Sequence, residues 1–356
     1  MQIDMHYYGV FAIARSAGLT REAARIIATA SQFVDDNAQT NGMEFPSAAT
    51  MSTEPTAHHT TSVKNIDGES QRKVWVPFHF LPGNEGESFT ERLVCRQDSK
   101  IARALRAHHL SLSDKAFYLE LVGVLAHVYA DTFSHYGFSG VSSRTNKVVN
   151  DSFEYRDLEP EIEAYIEKKK QRFFEKYGTG WVRNIKSFLA EAASGALGHG
   201  AAVTLPDRPY LSWRFMYENG EDSGWRDNPA TFLEACKQLH AVFKLVAAQR
   251  PDLADVEQQR EWADLEATVK AILATQGDKQ TRIQAWQAAC ANGDILTIAE
   301  TIPDYVDWNA GFEHINESTA PEEMMSLPSY RFYQAASYHR WYVLRELLPS
   351  YDLMVV

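Results

Sequence analysis

The twenty residues from Ala116 to His135, AFYLELVGVLAHVYADTFSH, are apolar enough for a protein core, yet they carry His127, Asp131 and His135 at intervals of four. At roughly 100° per residue, side chains four apart stand about 40° from one another around a helix. The three therefore form one polar stripe on a helix otherwise fit for burial. Buried polar groups without partners are costly. Neighbouring elements must either pair the stripe by hydrogen bonds or help it to hold a cation. Imidazole nitrogen and carboxylate oxygen are ordinary zinc ligands, and the span from His127 to His135 suits two neighbouring ions bridged by Asp131. Structural polar pairing is the competing reading of the triplet.

Other segments offer companions. A short helix from about His6 to Ala17 stops at Gly18, and Thr20 can cap a second helix running to about Asp36. Helices joined by so short a turn pack antiparallel, which predicts His6 near Asp35 and Asp36. Acids at a helix C-terminus oppose the macrodipole unless a cation compensates, although a C-cap role or plain exposure explains them equally well. Asp4 is a further ligand candidate or a group supporting one. His79, in VWVPFHFLPGN, reads as a buried ligand or a core hydrogen bonder. His199, between Gly198 and Gly200, allows close backbone approach, as an ordinary turn also would. Asp207 follows in PDRP as a substitute ligand. His58 and His59 sit in polar surroundings and are expected to be exposed, with a supporting role at most.

The rest of the 356-residue chain reads as nearly all-α, with little strand alternation. The expected organisation is a metal-binding helical core over 1–227 and a C-terminal helical region over 228–356 packed on it. An irregular excursion interrupts the core at about 37–98, and loops of that length are often functional. Ser113 and Asp114 are expected to open the central helix. A charged helix follows from about Pro160 to Tyr177, with EKKKQR as a solvated face, and another from Trp181 to Leu197. TLPDRPYLSW is expected to be extended because of its two prolines. Beyond Asn228, breaks fall near Gly277, Gly293 and Pro303. His240, His314 and His339 read as ordinary histidines.

The apolar fraction of 45% and charged fraction of 23% are those of a globular chain. A formal net charge of −12 disfavours long nucleic acid as a partner, because nonspecific binding of it relies on Lys and Arg displacing counterions. The three cysteines, Cys95, Cys236 and Cys290, form no disulfide or zinc-finger pattern. MQIDMHYYGVFAIA lacks the features of a signal peptide, and no apolar run approaches the roughly 20 residues that span a bilayer. The expected location is cytoplasmic, with signal-independent export also open.

The order His6, Asp35/Asp36, His79, His127-x-x-x-Asp131, His135 and His199 resembles the superfamily of zinc-dependent phospholipase C and fungal single-strand nucleases. MQIDMHYYGVFAIA, SQFVDDN, PFHFLPG, HVYADTFSHYGFSG and GHG…PDRPYLSW also resemble an uncharacterised bacterial family related to it, over roughly the first 220 residues. The resemblance implies an all-α, multi-helix fold and a cluster of two or three divalent ions, zinc foremost, that hydrolyses phosphodiesters. Asp35 or Asp36, His79, His127 and Asp131 would hold one ion, His135 and His199 a second, and His6 with Asp131 a third. Asp131 would bridge ions and orient the attacking hydroxide, with Asp36, Asp4 or Asp207 accepting its proton. Two positions depart from the pattern. The chain starts with Met where the secreted enzymes expose a Trp whose amine and carbonyl bind zinc, and Val203 stands where they place an Asp.

The expected function is thus metal-dependent phosphodiester hydrolysis of phospholipase C type, on a phospholipid or small phosphodiester. Tyr7, Tyr8, Trp75, Phe78 and Phe80 would furnish an apolar wall or simply pack in the core. Two rivals stand beside it: a metal-stabilised scaffold or binding protein without catalysis, and a lipid-hydrolysing, toxin-like effector that a partner inhibitor protein would accompany.

Overall fold

A computed structural model describes residues 1–38, 43–44, 50–58, 68–143, 146–149, 151–178, 202, 204–309 and 320–355. The expected helices Trp181–Leu197, the Gly198–Gly200 stop, His59, His199, Val203 and His314 lie outside the described residues.

A π-helical turn, Asp4–Gly9, leads directly into α1 (Val10–Ser16). Gly18 adopts φ +90°, the left-handed conformation that ends a helix without a Cβ penalty. The Thr20 hydroxyl accepts from Ala23 N at 3.3 Å and caps α2 (Arg21–Asp36). Ala23, Ala24, Ile27, Ala28 and Ala30 give α2 a buried face of mostly small residues. That face lies against the central helix, α4 (Tyr118–Ser134), which follows α3 (Lys100–Leu110). Gly123 lets the two backbones meet: a Cβ there would fall within 2.5 Å of the Ile27 carbonyl oxygen and closer still to Ala30 Cβ.

Ser113 and Asp114 do not open α4 as expected. The helix begins at Tyr118 after a series of turns, and Phe117 occupies the N-cap without a side-chain cap bond. The Ser113 carbonyl instead accepts from Arg250 Nη1 at 2.8 Å, which commits this segment to a tertiary contact.

TLPDRPYLSW turns through its prolines and then becomes a strand. β3 (Glu154–Arg156), β4 (Ser212–Arg214) and β5 (Arg226–Asp227) form an antiparallel sheet, with Trp213 buried at its centre. Strands this short offer too little alternation to be read from sequence. The other strand pair, β1 (Met43–Glu44) and β2 (Thr50–Met51), lies in the excursion. That excursion also holds helical turns at Gly68–Ser70, Gln71–Trp75, Val76–Phe78 and Phe89–Arg92. α5 (Pro160–Gly178) packs Ile162, Tyr165 and Ile166 on a small core with Trp213 and leaves Lys168 and Lys169 exposed.

The longer C-terminal helices among the described residues are α6 (Asn228–Gln249), α7 (Trp262–Leu273), α8 (Lys279–Asn292) and α9 (Pro328–Tyr342), with a short helix at Pro321–Ser326 before the last. The first break after Asn228 falls at Arg250–Pro251, ahead of the one near Gly277, because proline cannot continue the helix. α6 and α9 pack on α4, and α8 packs on the Asp4–Gly9 turn. One apolar core joins residues on both sides of position 228. Buried Arg15 ties the first hairpin to this region through Glu300 (2.6 Å) and Asp255 (3.0 Å). Among the described residues, no helix is long and apolar enough to cross a membrane.

Candidate metal centre

The polar stripe of α4 points at three other segments. His127 Nδ1 donates to the Ser31 carbonyl of α2 at 2.8 Å. His135, at the C-cap of α4, donates from Nδ1 to the His79 carbonyl at 2.9 Å. His79 donates from Nε2 to the Thr56 carbonyl at 2.8 Å. A carbonyl can only accept, so each of these ring nitrogens carries the proton. The opposite nitrogen of each ring bears a lone pair when the ring is neutral and a second proton when it is charged.

Those opposite nitrogens face carboxylates and one another, and His135 Nε2 donates to Asp207 Oδ1. His127 Nε2 stands 3.2 Å from His79 Nδ1 and 3.2 Å from Asp131 Oδ2. His79 Nδ1 is 3.5 Å from the same oxygen. Asp35 Oδ1 lies 3.8 Å from His79 Nδ1 and 3.9 Å from His127 Nε2. His135 Nε2 is 3.1 Å from Asp207 Oδ1. Asp131 Oδ2 is buried and receives no hydrogen bond. A cation, either added protons or a metal ion, would relieve such a convergence of carboxylates and ring nitrogens.

The second oxygen of Asp131 serves another group. His6, on the Asp4–Gly9 turn, stacks on His127 with centroids 3.9 Å apart and brings Nε2 to 3.2 Å from Asp131 Oδ1. Both His6 nitrogens are buried without a well-formed hydrogen bond. Burial, reinforced by His127 and the N-terminal ammonium, holds this imidazole well below its ordinary pKa, so it is neutral and available as a ligand. The Met1 α-amine is buried 2.7 Å from Asp131 Oδ1 and 3.2 Å from Asp207 Oδ1. Burial opposes its charge, but Asp131, Asp207 and Asp35 together push its pKa up to about 11. Burial likewise opposes the charge on Asp131, yet His135, the amine and His127 keep the carboxyl well below the usual range.

The ligand types and spacings suit a metal. His6, His127 and Asp131 form one convergent set, and Asp35, His79 and His127 form another, with the ligand atoms of each set within 4.8 Å of one another. Ligands about 2.0–2.1 Å from zinc stand about 3.3–3.4 Å apart in a tetrahedron. The 3.2–3.5 Å separations among His79, His127 and Asp131 match this to within about 0.2 Å, and Asp35, at 3.8 and 3.9 Å from the two rings, lies about 0.5 Å outside it. His127 Nε2 belongs to both sets but has a single lone pair, so it can bind only one ion.

Several expected ligands lie elsewhere. Asp36 is exposed, accepts from Gln32 Nε2 at 3.0 Å and stands beside Tyr305, because one step along a helix turns a side chain about 100° away from Asp35. Asp4 is buried against Arg282 at 2.7 and 3.1 Å, a pairing that already satisfies its charge. His58 is buried near Trp75 rather than exposed, since Asn37 and Thr56 fold this part of the excursion back onto α2. Asp207 joins the site. Phe80 stacks on His135 at 4.8 Å and Trp75 lies 5.0 Å from His79, so these two rings pack against candidate ligands, whereas Tyr7 packs on Tyr8 and Tyr305. Arg226, buried beneath the site, donates to the Ser134 and Tyr136 carbonyls and caps the end of α4 that presents His135.

The group that sequence reasoning missed is the Met1 amine. The resemblance places an N-terminal amine in the site, but the change from Trp to Met counts against it here, and a backbone amine carries no residue-type signature of its own. The carbonyl clamps at Ser31 and Thr56 were hidden for the same reason.

No curated protein and no solved structure matches the chain. One family's sequence pattern does match, over residues 1–347, a range that takes in the whole site and most of the C-terminal helices. The chain therefore belongs to DUF6765, a family of unknown function.

Proposed function

We propose that this chain is a metal-dependent phosphodiester hydrolase of phospholipase C type, built on a helical bundle of that kind. The observation that carries the reading is the convergence of His79, His127 and His135 on the carboxylates of Asp35, Asp131 and Asp207, each ring anchored through its other nitrogen to a backbone carbonyl. Asp35, His79, His127 and Asp131 would hold one ion, zinc being the best match to the donors. His6 and Asp131 Oδ1, with the Met1 amine beside them, would hold another, and His135 with Asp207 is the start of a third position. Divalent ions there would acidify a bound water and neutralise phosphoryl oxygens. Asp131 would orient the ligands on both of its oxygens. Asp4 is paired to Arg282 and Asp36 is turned outward, so of the three candidate proton acceptors Asp207, which already faces His135 and the Met1 amine, is the one that lies at the cluster. The net charge of −12 favours a phospholipid or small phosphodiester over long nucleic acid.

One observation favours a second reading, a metal-stabilised scaffold without catalysis. His6, His79, His127, Asp131 and His135 are all buried, and among these ligand candidates Asp35 alone is substantially open, at 31%. The deciding experiment is metal analysis by plasma mass spectrometry of protein purified without chelator or metal-affinity capture, wild type against Asp131→Asn. Two or more divalent ions per chain, lost in the variant, together with metal-dependent hydrolysis of phosphatidylcholine vesicles or bis-p-nitrophenyl phosphate, is the expected result. Metal without hydrolysis would leave the scaffold. A folded, metal-free wild type would end both readings.

A further inference from the structure

His79 is gripped from two directions by consecutive residues of a distant helix. Its Nδ1 faces the cluster only because its Nε2 donates to the Thr56 carbonyl. The two residues before Thr56 are held by Arg340 of α9, which donates from Nη1 to Glu54 and from Nη2 to the Pro55 carbonyl. The ring itself hangs from the helical turn Val76–Phe78. There the Pro77 carbonyl, left without an intrahelical donor at the end of a short helix, accepts from His339 Nε2 at 2.9 Å.

The tautomer logic extends one step further. With its proton on Nε2, His339 must accept at Nδ1, and His109 Nε2 donates to it at 2.9 Å. Burial pushes His339 down to about 4, which keeps it neutral and its tautomer defined at physiological pH. Phe78 lies against its ring at 5.0 Å. Neither His339 nor Arg340 belongs to the convergent ligand sets.

We infer that His339 and Arg340 are positioning residues for His79, one fixing the turn that carries the ring and the other fixing the carbonyl that sets its tautomer. This rests on the metal reading above for its functional meaning, and it gives the C-terminal helix a part in the site. Such supporting groups orient a ligand and typically change metal affinity 10- to 100-fold when removed.

The test uses the full chain as wild type, His339→Leu, Arg340→Met and, as a control for general loosening of α9 and the segment after it, Leu344→Ala. In chelated protein, long-range proton–nitrogen correlation reads the His79 tautomer directly. Wild type and Leu344→Ala should hold the proton on Nε2, whereas Arg340→Met should show mixed tautomers. Cobalt(II) titration, followed by its visible absorption, should then weaken 10- to 100-fold in both α9 variants, with an altered spectrum, and stay unchanged in Leu344→Ala. Wild-type tautomer and wild-type cobalt affinity in both variants would overturn the inference. Should those variants fail to fold, His339→Gln and Arg340→Lys carry the test. Each keeps a donor group in a different geometry and should weaken cobalt about two- to five-fold, and an unchanged affinity would overturn it. A wild type that binds no cobalt would defeat the metal reading, while the tautomer measurement would still decide whether α9 sets His79.

Discussion

Asp131 is the residue on which the site turns, because its two oxygens divide the ligands into two groups, His6 with the Met1 amine and His79 with His127. Seven residues before His127, the same helix carries a carboxyl of a different kind. Glu120 is buried with only its own backbone amide and Arg331 to favour charge, and burial pushes its pKa from an ordinary 4.5 up to about 7. The folded state thus holds this proton more tightly than the unfolded one. The stabilisation is complete below pH 4.5 and is lost as pH rises through about 7, a change on the order of 3 kcal/mol. Glu120→Gln cannot titrate, so the stability gap between variant and wild type should move by about that amount in the variant's favour between pH 4.5 and 8. Urea midpoints across this range check it, and parallel profiles for the two proteins would refute it. The stripe His127, Asp131 and His135 was legible from sequence because four-residue spacing is a local property of helices. The choice between Asp35 and Asp36 was not, because it depends on the rotational phase of α2, which is fixed by packing at Gly123 and not by α2 itself.

At the scale of elements, the contact between α2 and α4 sets the geometry of the centre. α2 brings the Ser31 carbonyl to His127 and, one turn later, the Asp35 carboxylate to the same ring. Gly123 allows this approach, and the atoms nearest to an added Cβ include the backbone of α2, which cannot rotate away. Gly123→Ala should therefore force the helices apart and cost about 1–3 kcal/mol through overpacking. It should also weaken metal binding, because Ser31 and Asp35 would move away from His127 together. A urea midpoint and a cobalt titration on the same sample check both effects, and wild-type values in either would refute the coupling. Thr20 and Gly18 marked the α1–α2 hairpin correctly because caps and left-handed stops are written in residue type. Ser113 and Asp114 had the same look, but a tertiary bond from Arg250 to the Ser113 carbonyl overrode the local signal. The three-stranded sheet escaped notice because its strands, at two or three residues, are shorter than any readable alternation.

Across the whole molecule, the candidate ligands come from segments that share little sequence proximity: the N-terminal turn, the end of α2, the turn after Trp75, α4 and the loop at Asp207. The helices around them already bury one continuous core that runs through the C-terminal region, so the chain is expected to fold without metal, unlike a zinc finger. A bound metal would link segments that otherwise press carboxylate and imidazole groups against one another. An ion that binds the folded state alone stabilises it by about 2.7 kcal/mol when free metal is 100 times the dissociation constant. Chelation should accordingly lower the melting temperature of wild type by several degrees without unfolding it at room temperature. Asp131→Asn, which removes the carboxylate common to both oxygen-facing groups, should melt at the same temperature with and without chelator. Scanning calorimetry of both proteins with and without EDTA separates the cases. A chelator effect that persists undiminished in Asp131→Asn would move the metal to a different part of the molecule, and the absence of any effect in wild type would mean that protons, rather than metal ions, hold these acceptors together.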